Sequence, residues 1–144
     1  KLHLIGKLQT NKVKFAIKLF DYIHSVDNEK LAKKISDEEK KINKKVKIFI
    51  QVNIGNEEQK SGIKKKQLQE FYLYCKNLNL DVIGLMCIPP FNEDPILYFK
   101  EMQTLNGTLK LDELSMGMST DYIEAANYSS TFLRIGSRIF GQRV

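Results

Sequence analysis

VKIFIQVNI, residues 46–54, is the stretch on which the fold turns. Its β-branched and aromatic residues run without a break for a helix start, and a loop-forming run, NEEQKSG, follows it. That composition and length read as a buried strand. On its N-terminal side lies NEKLAKKISDEEKKI, where Leu31, Ile35 and Ile42 recur at helical spacing and Asp27 is placed to cap the start. On its C-terminal side lies IKKKQLQEFYLYCKNL (63–78), with Leu68, Phe71, Tyr72 and Cys75 on one helical stripe. A strand flanked by helices on both sides is the middle of a repeating βα pattern.

The pattern continues outward in both directions. Toward the N-terminus, YIHSV (22–26) reads as a strand, QTNKVKFAIKLF (9–20) as a helix and LHLI (2–5) as a short strand. Toward the C-terminus, LDVIGLMCI (80–88) is a strand stopped by Pro89 and Pro90, and residues 92–107 hold a helix with Pro95 in its first turn. LDELSMG (111–117) is a strand and its exit, STDYIEAANY a helix with Ser119 as its cap, STFLRIG (130–136) the last strand, and SRIFG a helical turn. Six strands, each followed by a helix or helical turn, imply parallel pairing with crossover helices. An open doubly wound sheet would fit the alternation too. The chain has no GxGxxG after the first strand and no GxxxxGK[ST], which favours the other solution, part of a (β/α)8 TIM barrel. Six units do not close eight strands, so we expect two further units, on the order of 60–90 residues, before Lys1. The strands ending at Ser115 and Arg134 are then numbers 7 and 8, and residues 1–144 form a single, incomplete barrel domain.

Composition sets limits on function. The formal net charge is +6, with twenty lysines but only three arginines, Arg134, Arg138 and Arg143, all in the last eleven residues. The lysines are dispersed and not interleaved with aromatics, so they read as solvated helix faces rather than a nucleic-acid surface. An arginine retained against that background points to a need for its planar fork of donors. No apolar run is long enough for a membrane span and no signal peptide is recognisable, so the expected location is the cytoplasm, without a membrane partner. Cys75 and Cys87 read as free thiols. We find no HExxH, CxxC or Ser-His-Asp ordering and expect no metal site.

The chemistry of such barrels sits at the C-terminal ends of strands, and phosphate sites are often built from the loops after strands 7 and 8. Here those loops are Ser115-Met116-Gly117-Met118-Ser119 and Arg134-Ile135-Gly136-Ser137. Glycines permit close backbone approach, serines offer hydroxyls, and free N–H groups at helix starts favour an anion. The set suits a phosphate monoester; the same residues also mark tight strand-to-helix turns. Arg134 lies between apolar residues and should point into the barrel mouth, where a guanidinium requires an acceptor from protein or ligand. Arg138, on the short helix, faces solvent or a carboxylate. Further strand-end candidates are His3, Asn53, Met86 and Ser115, although His3 and His24 also fit as hydrogen-bonded core histidines.

HLIGKLQTNK (3–12), QVNIGNEEQKSGI (51–63), GLMCIPP (84–90), LSMGMSTDYIEAA (114–126) and RIGSRIFGQR (134–143) resemble, in that order, the pyridoxal phosphate homeostasis proteins, which are related to the alanine racemase barrel. The resemblance implies a barrel of fold type III that binds pyridoxal 5′-phosphate (PLP) and serves as an intracellular carrier or buffer without efficient catalysis. It implies that Met118, through its backbone, and Ser119, Gly136 and Ser137 hold the phosphate, and that Arg134 faces the pyridine nitrogen. The family's Schiff-base lysine block has no counterpart in this chain, so no lysine is assigned that role. A PLP-dependent amino-acid racemase is the alternative, but it would need an acid/base from a further domain, and only GQRV follows the barrel pattern. The expected partner is therefore the small molecule, not nucleic acid, and the complete protein is expected to be a monomer.

Overall fold

The computed structural model describes residues 1–142; Arg143 lies outside the described residues. The elements follow one another as β1 (His3–Leu4), a 3-10 turn (Thr10–Lys12), α1 (Val13–Leu19), β2 (Tyr22–Val26), α2 (Glu29–Ile42), β3 (Lys47–Asn53), β4 (Ile63–Lys64), a second 3-10 turn (Lys65–Gln67), α3 (Leu68–Asn77), β5 (Asp81–Met86), α4 (Pro95–Thr108), β6 (Glu113–Ser115), α5 (Tyr122–Asn127) and α6 (Ser137–Phe140). Every strand pairing is parallel, in the order β1-β2-β3-β5-β6, with β4 added to the end of β3 through Val52 and Ile63. This is the βα alternation of a (β/α)8 barrel, present as an arc.

Alternation along the strands separates two interiors. Ile48, Ile50 and Val52 of β3 join Ile23, Leu31, Ile35, Phe71, Phe99 and Met102 in the layer between sheet and helices. Phe49 and Met86 are buried just as deeply but stand outside that layer. Phe49 meets the ring of His24 at 4.3 Å and that of Phe132 at 5.3 Å on the concave side. The Phe132 ring also lies 5.6 Å from His3 and 5.6 Å from Tyr22. A residue beyond the last strand thus touches the first two strands, which requires the sheet to curl as a barrel does.

Four details depart from the sequence reading. The cap of α2 is Asn28, whose side chain accepts from the Leu31 amide at 2.9 Å; Asp27 instead accepts from the Gly62 amide, bracing the loop before β4. Residues 63–78 begin as the short strand β4 before turning helical. The residue at the N-cap position of α5 is Asp121 rather than Ser119, and Asp121 Oδ1 accepts from the Met118 amide at 2.7 Å. The final strand is reduced to a single parallel bridge, Ser115 to Phe132. Two hydroxyls intervene in its ladder: Thr131 accepts from the Leu114 amide and Ser130 donates to the Met116 carbonyl.

Candidate functional site

The loops after β6 and after the Phe132 bridge come together as their glycines and serines suggest. Gly117 sits at φ +98°, and a side chain there would meet Ala125 Cβ at 2.6 Å and the Tyr122 backbone at 3.1 Å. The chain can turn so sharply against α5 only because no Cβ is present. Beyond the turn, Ser119 Oγ accepts two amide N–H groups of the other loop, from Gly136 at 3.1 Å and from Arg138 at 3.2 Å. Ser119 therefore ties the two loops together, and its own proton remains available for an acceptor. Ser137 opens α6 and is exposed, and its hydroxyl makes no hydrogen bond among the described residues. Nothing lies within 4 Å of a Cβ built at Gly136, so the space beside this loop is open. The Met118 side chain is exposed while its amide is engaged by Asp121.

Arg134 points inward, as its place between Leu133 and Ile135 suggests, and only 8% of its surface is exposed. Its acceptors come from the protein: Nη1 donates to Ser115 Oγ at 2.7 Å and Nη2 to the Cys87 carbonyl at 2.9 Å. Burial presses its pKa downward, although the guanidinium stays charged. Ser115 is fully buried at the end of β6 and reaches His24 Nδ1 at 2.7 Å. The other ring nitrogen of His24 lies 3.0 Å from His3 Nδ1. His3 in turn stacks on Tyr22, with centroids 4.1 Å apart and planes within 9°. Burial, with His3 and the Arg134 guanidinium as neighbours, holds His24 neutral by lowering its pKa to about 3. Burial also lowers that of His3. The same burial pushes the Cys87 thiol up to about 12.

The strand-end candidates divide. His3, Ser115 and Arg134 form one continuous hydrogen-bonded chain through His24, which the sequence suggested only as a core histidine. Met86 is buried on the same face, paired in register with Gln51 and Ser115. Asn53 is not part of the group: both ends of its amide are taken by the Glu57 backbone, at 2.6 and 3.1 Å. Arg138 is exposed and contributes its backbone amide; its side chain makes no ion pair among the described residues. The Cys87 carbonyl, a main-chain acceptor, leaves no mark in the sequence. Two cavities of about 350 and 340 Å³ lie apart from this chain of residues, both lined by Asn56 and Lys64 and the second also by Asn53 and Gly62. No group of metal-ligating side chains occurs among the described residues.

A parallel barrel arc with serine- and glycine-bearing loops at its last two strand ends, and a buried arginine beneath them, defines a (β/α)8 barrel of the alanine-racemase type. Residues 1–144 match the family model described as alanine racemase, N-terminal domain, and the chain belongs to that family. Among its relatives, the pyridoxal phosphate homeostasis protein of Aquifex aeolicus is 40% identical over 98% of this chain and 66% of its own length. That of Synechocystis is 38% identical over 99% and 70%. The structure of PipY from Synechococcus elongatus with PLP bound is similar at a TM-score of 0.89 and 31% identity, over 96% of this chain and 69% of that one. An alanine racemase of Clostridium difficile, 16% identical at a TM-score of 0.75, shares the fold. The chain thus spans about two thirds of the length of the curated relatives it matches.

Proposed function

We propose that this chain binds PLP at the loops after β6 and Phe132 and serves PLP homeostasis as a carrier or buffer in the cytoplasm, not as an enzyme. The observation that carries this reading is the Ser119 hydroxyl accepting the Gly136 and Arg138 amides, which leaves its own proton and the unused Ser137 hydroxyl as donors at one open point. A phosphate monoester is the ligand class that such a set of neutral donors suits. The Ser119 and Ser137 hydroxyls would hold the phosphate, the amides of Met118, Gly136 and Arg138 would leave Asp121 and Ser119 to turn to it on binding, and Arg134 would face the ring nitrogen. His3, Met86 and Ser115 would line the floor.

The residues fit the group. Gly136 leaves room beside the cradle, Ser137 has an unused hydroxyl, and the remaining N–H donors of Arg134 make no hydrogen bond among the described residues. When bound, PLP supplies an electron-accepting pyridine ring, and a permanent cation beside its nitrogen keeps that nitrogen unprotonated and the ring a weak electron sink. A weak electron sink suits storage and delivery better than demanding carbanion chemistry. The names of the relatives point the same way. The lysines around α2 are used locally, Lys34 and Lys41 on Glu38 and Lys45 on Glu39, which supports a small-molecule partner over nucleic acid. A single barrel domain acting as a monomer completes the reading.

The test is equilibrium dialysis against PLP with pyridoxal, which lacks the phosphate, as control. Saturable binding of PLP and not of pyridoxal is expected. Equal binding of both, or of neither, would overturn the cradle, and turnover of an amino acid between its enantiomers would replace the carrier with a racemase.

A further inference from the structure

Three hydrogen bonds link Arg134 to His3 across the strands β6, β2 and β1, and their proton order can be worked out. The Arg134 guanidinium can only donate, so Ser115 Oγ accepts from it. Ser115 has no exposed surface, and its hydroxyl proton has one acceptor among the described residues, His24 Nδ1 at 2.7 Å. Pointing that proton anywhere else would leave a buried donor unpaired, at a cost of about 1–3 kcal/mol. The hydroxyl therefore donates to Nδ1. A neutral His24 then carries its proton on Nε2, which donates to His3 Nδ1. Each bond points the same way, from the cation outward to a half-buried histidine at the start of β1.

We propose that Ser115 and His24 are positioning residues for Arg134: this one-way chain of donors holds the guanidinium against the Cys87 carbonyl and leaves its remaining N–H groups presented to a ring-nitrogen acceptor. The proposal rests on the reading of Arg134 given above. Protonating His24 would place a proton on Nδ1 facing the Ser115 hydroxyl and would break the order, so the relay holds the ring in one tautomer. His3, at the far end, is left with Nε2–H as the donor that it offers to the concave face.

Two measurements test it. The first needs no ligand: the imidazole nitrogens of the 15N-labelled full chain, read in a long-range 1H–15N spectrum near neutral pH. His24 is expected as the Nε2–H tautomer with a hydrogen-bonded, unprotonated Nδ1; the opposite tautomer, or rapid exchange between the two, overturns the relay. The second uses pyridoxine 5′-phosphate, which has the phosphate and the ring but no aldehyde. Ser115→Ala and His24→Leu should each weaken its binding by roughly 10-fold, the value of one hydrogen bond to a charged group, and shift the absorbance of the bound ring. His24→Asn, whose side-chain oxygen can still accept from Ser115, should restore both, and inorganic phosphate should bind all four proteins alike. If the unaltered chain fails to bind pyridoxine 5′-phosphate, the site reading falls while the tautomer still judges the relay. If it binds and Ser115→Ala changes neither affinity nor absorbance, the positioning role is overturned, whether or not His24→Leu folds.

Discussion

Ser119 and Gly136 stand 17 residues apart and are joined by a 3.1 Å hydrogen bond from the Gly136 amide to the Ser119 hydroxyl. A second amide, that of Arg138, converges on the same oxygen. One side chain thereby registers the tips of the two loops, whose bases are joined by the hydrogen bond from Arg134 to Ser115. Removing it should loosen the pair and remove a phosphate ligand together. Ser119→Ala is expected to lower PLP affinity by about 10-fold and stability by only about 1 kcal/mol, since the site is half exposed. Dialysis and urea unfolding measure the two effects separately; a large stability loss with unchanged PLP affinity would make Ser119 a loop latch only.

Gly117 and Gly136 flank this contact and should respond differently to alanine. At Gly117 the added methyl meets Ala125 and the Tyr122 backbone, and φ is +98°. Gly117→Ala is expected to destabilise the fold by about 3 kcal/mol, from strain and overpacking together. At Gly136 the methyl enters open space, so Gly136→Ala should cost less than about 1 kcal/mol while obstructing the cradle. Denaturant midpoints of the two variants, set against their PLP affinities, would show stability lost at one glycine and binding at the other.

The barrel arc was legible because its signal is repetitive: strands such as residues 47–53 and helices such as 29–42 carry their periods over many residues. The two loops and the inward arginine were legible because Gly, Ser and Arg have few equivalents at such positions. The rest depended on partners far away in sequence. His24 looks like a core histidine until Ser115, 91 residues on, supplies its hydrogen bond. Ser119 looks like the cap of α5 until Asp121 closes that turn and frees its hydroxyl. Asn53 ends its strand at the expected place, yet a local turn with Glu57 takes up its amide.

The start of α2 gives a local test of one such reassignment. Asn28 accepts from the Leu31 amide, so Asn28→Ala should cost about 1 kcal/mol by leaving a helix-end donor unpaired. Asp27→Ala should act elsewhere, releasing the Gly62 amide and speeding hydrogen exchange in residues 56–62 while leaving α2 protected. If both variants uncover α2 alike, Asp27 shares the cap.

The buried thiols report on integrity of the fold. Burial pushes both Cys75 and Cys87 up to about 12, so neither forms appreciable thiolate near pH 8. An aromatic disulfide reagent should label neither residue in the native chain and both in urea. Fast labelling of Cys87 alone would mean that the β5 end opens locally, taking with it the carbonyl that holds Arg134.

Stability should fall on mild acidification, and the sign follows from His24. Its pKa is lowered to about 3 in the fold against 6.5 for an ordinary histidine, so between those values the unfolded chain binds a proton that the native chain does not. Its contribution is fully present above about pH 6.5 and is lost as pH falls toward 3, at up to about 1.4 kcal/mol per pH unit. Burial sets most of this, and His3 on one side of the ring and Arg134 beyond Ser115 on the other add to it in the same direction. His3, also lowered, adds a slope of the same sign. Glu38, held near 2 by hydrogen bonds from Lys34 and Lys41, acts only below its ordinary 4.5, so the window from pH 5 to 6.5 isolates the histidines. Urea midpoints measured across that window should rise with pH in the unaltered chain and rise less in His24→Asn, which cannot titrate. An equal slope in both would mean that His24 is free to take up a proton in the fold, and the one-way chain from Arg134 would not then stand.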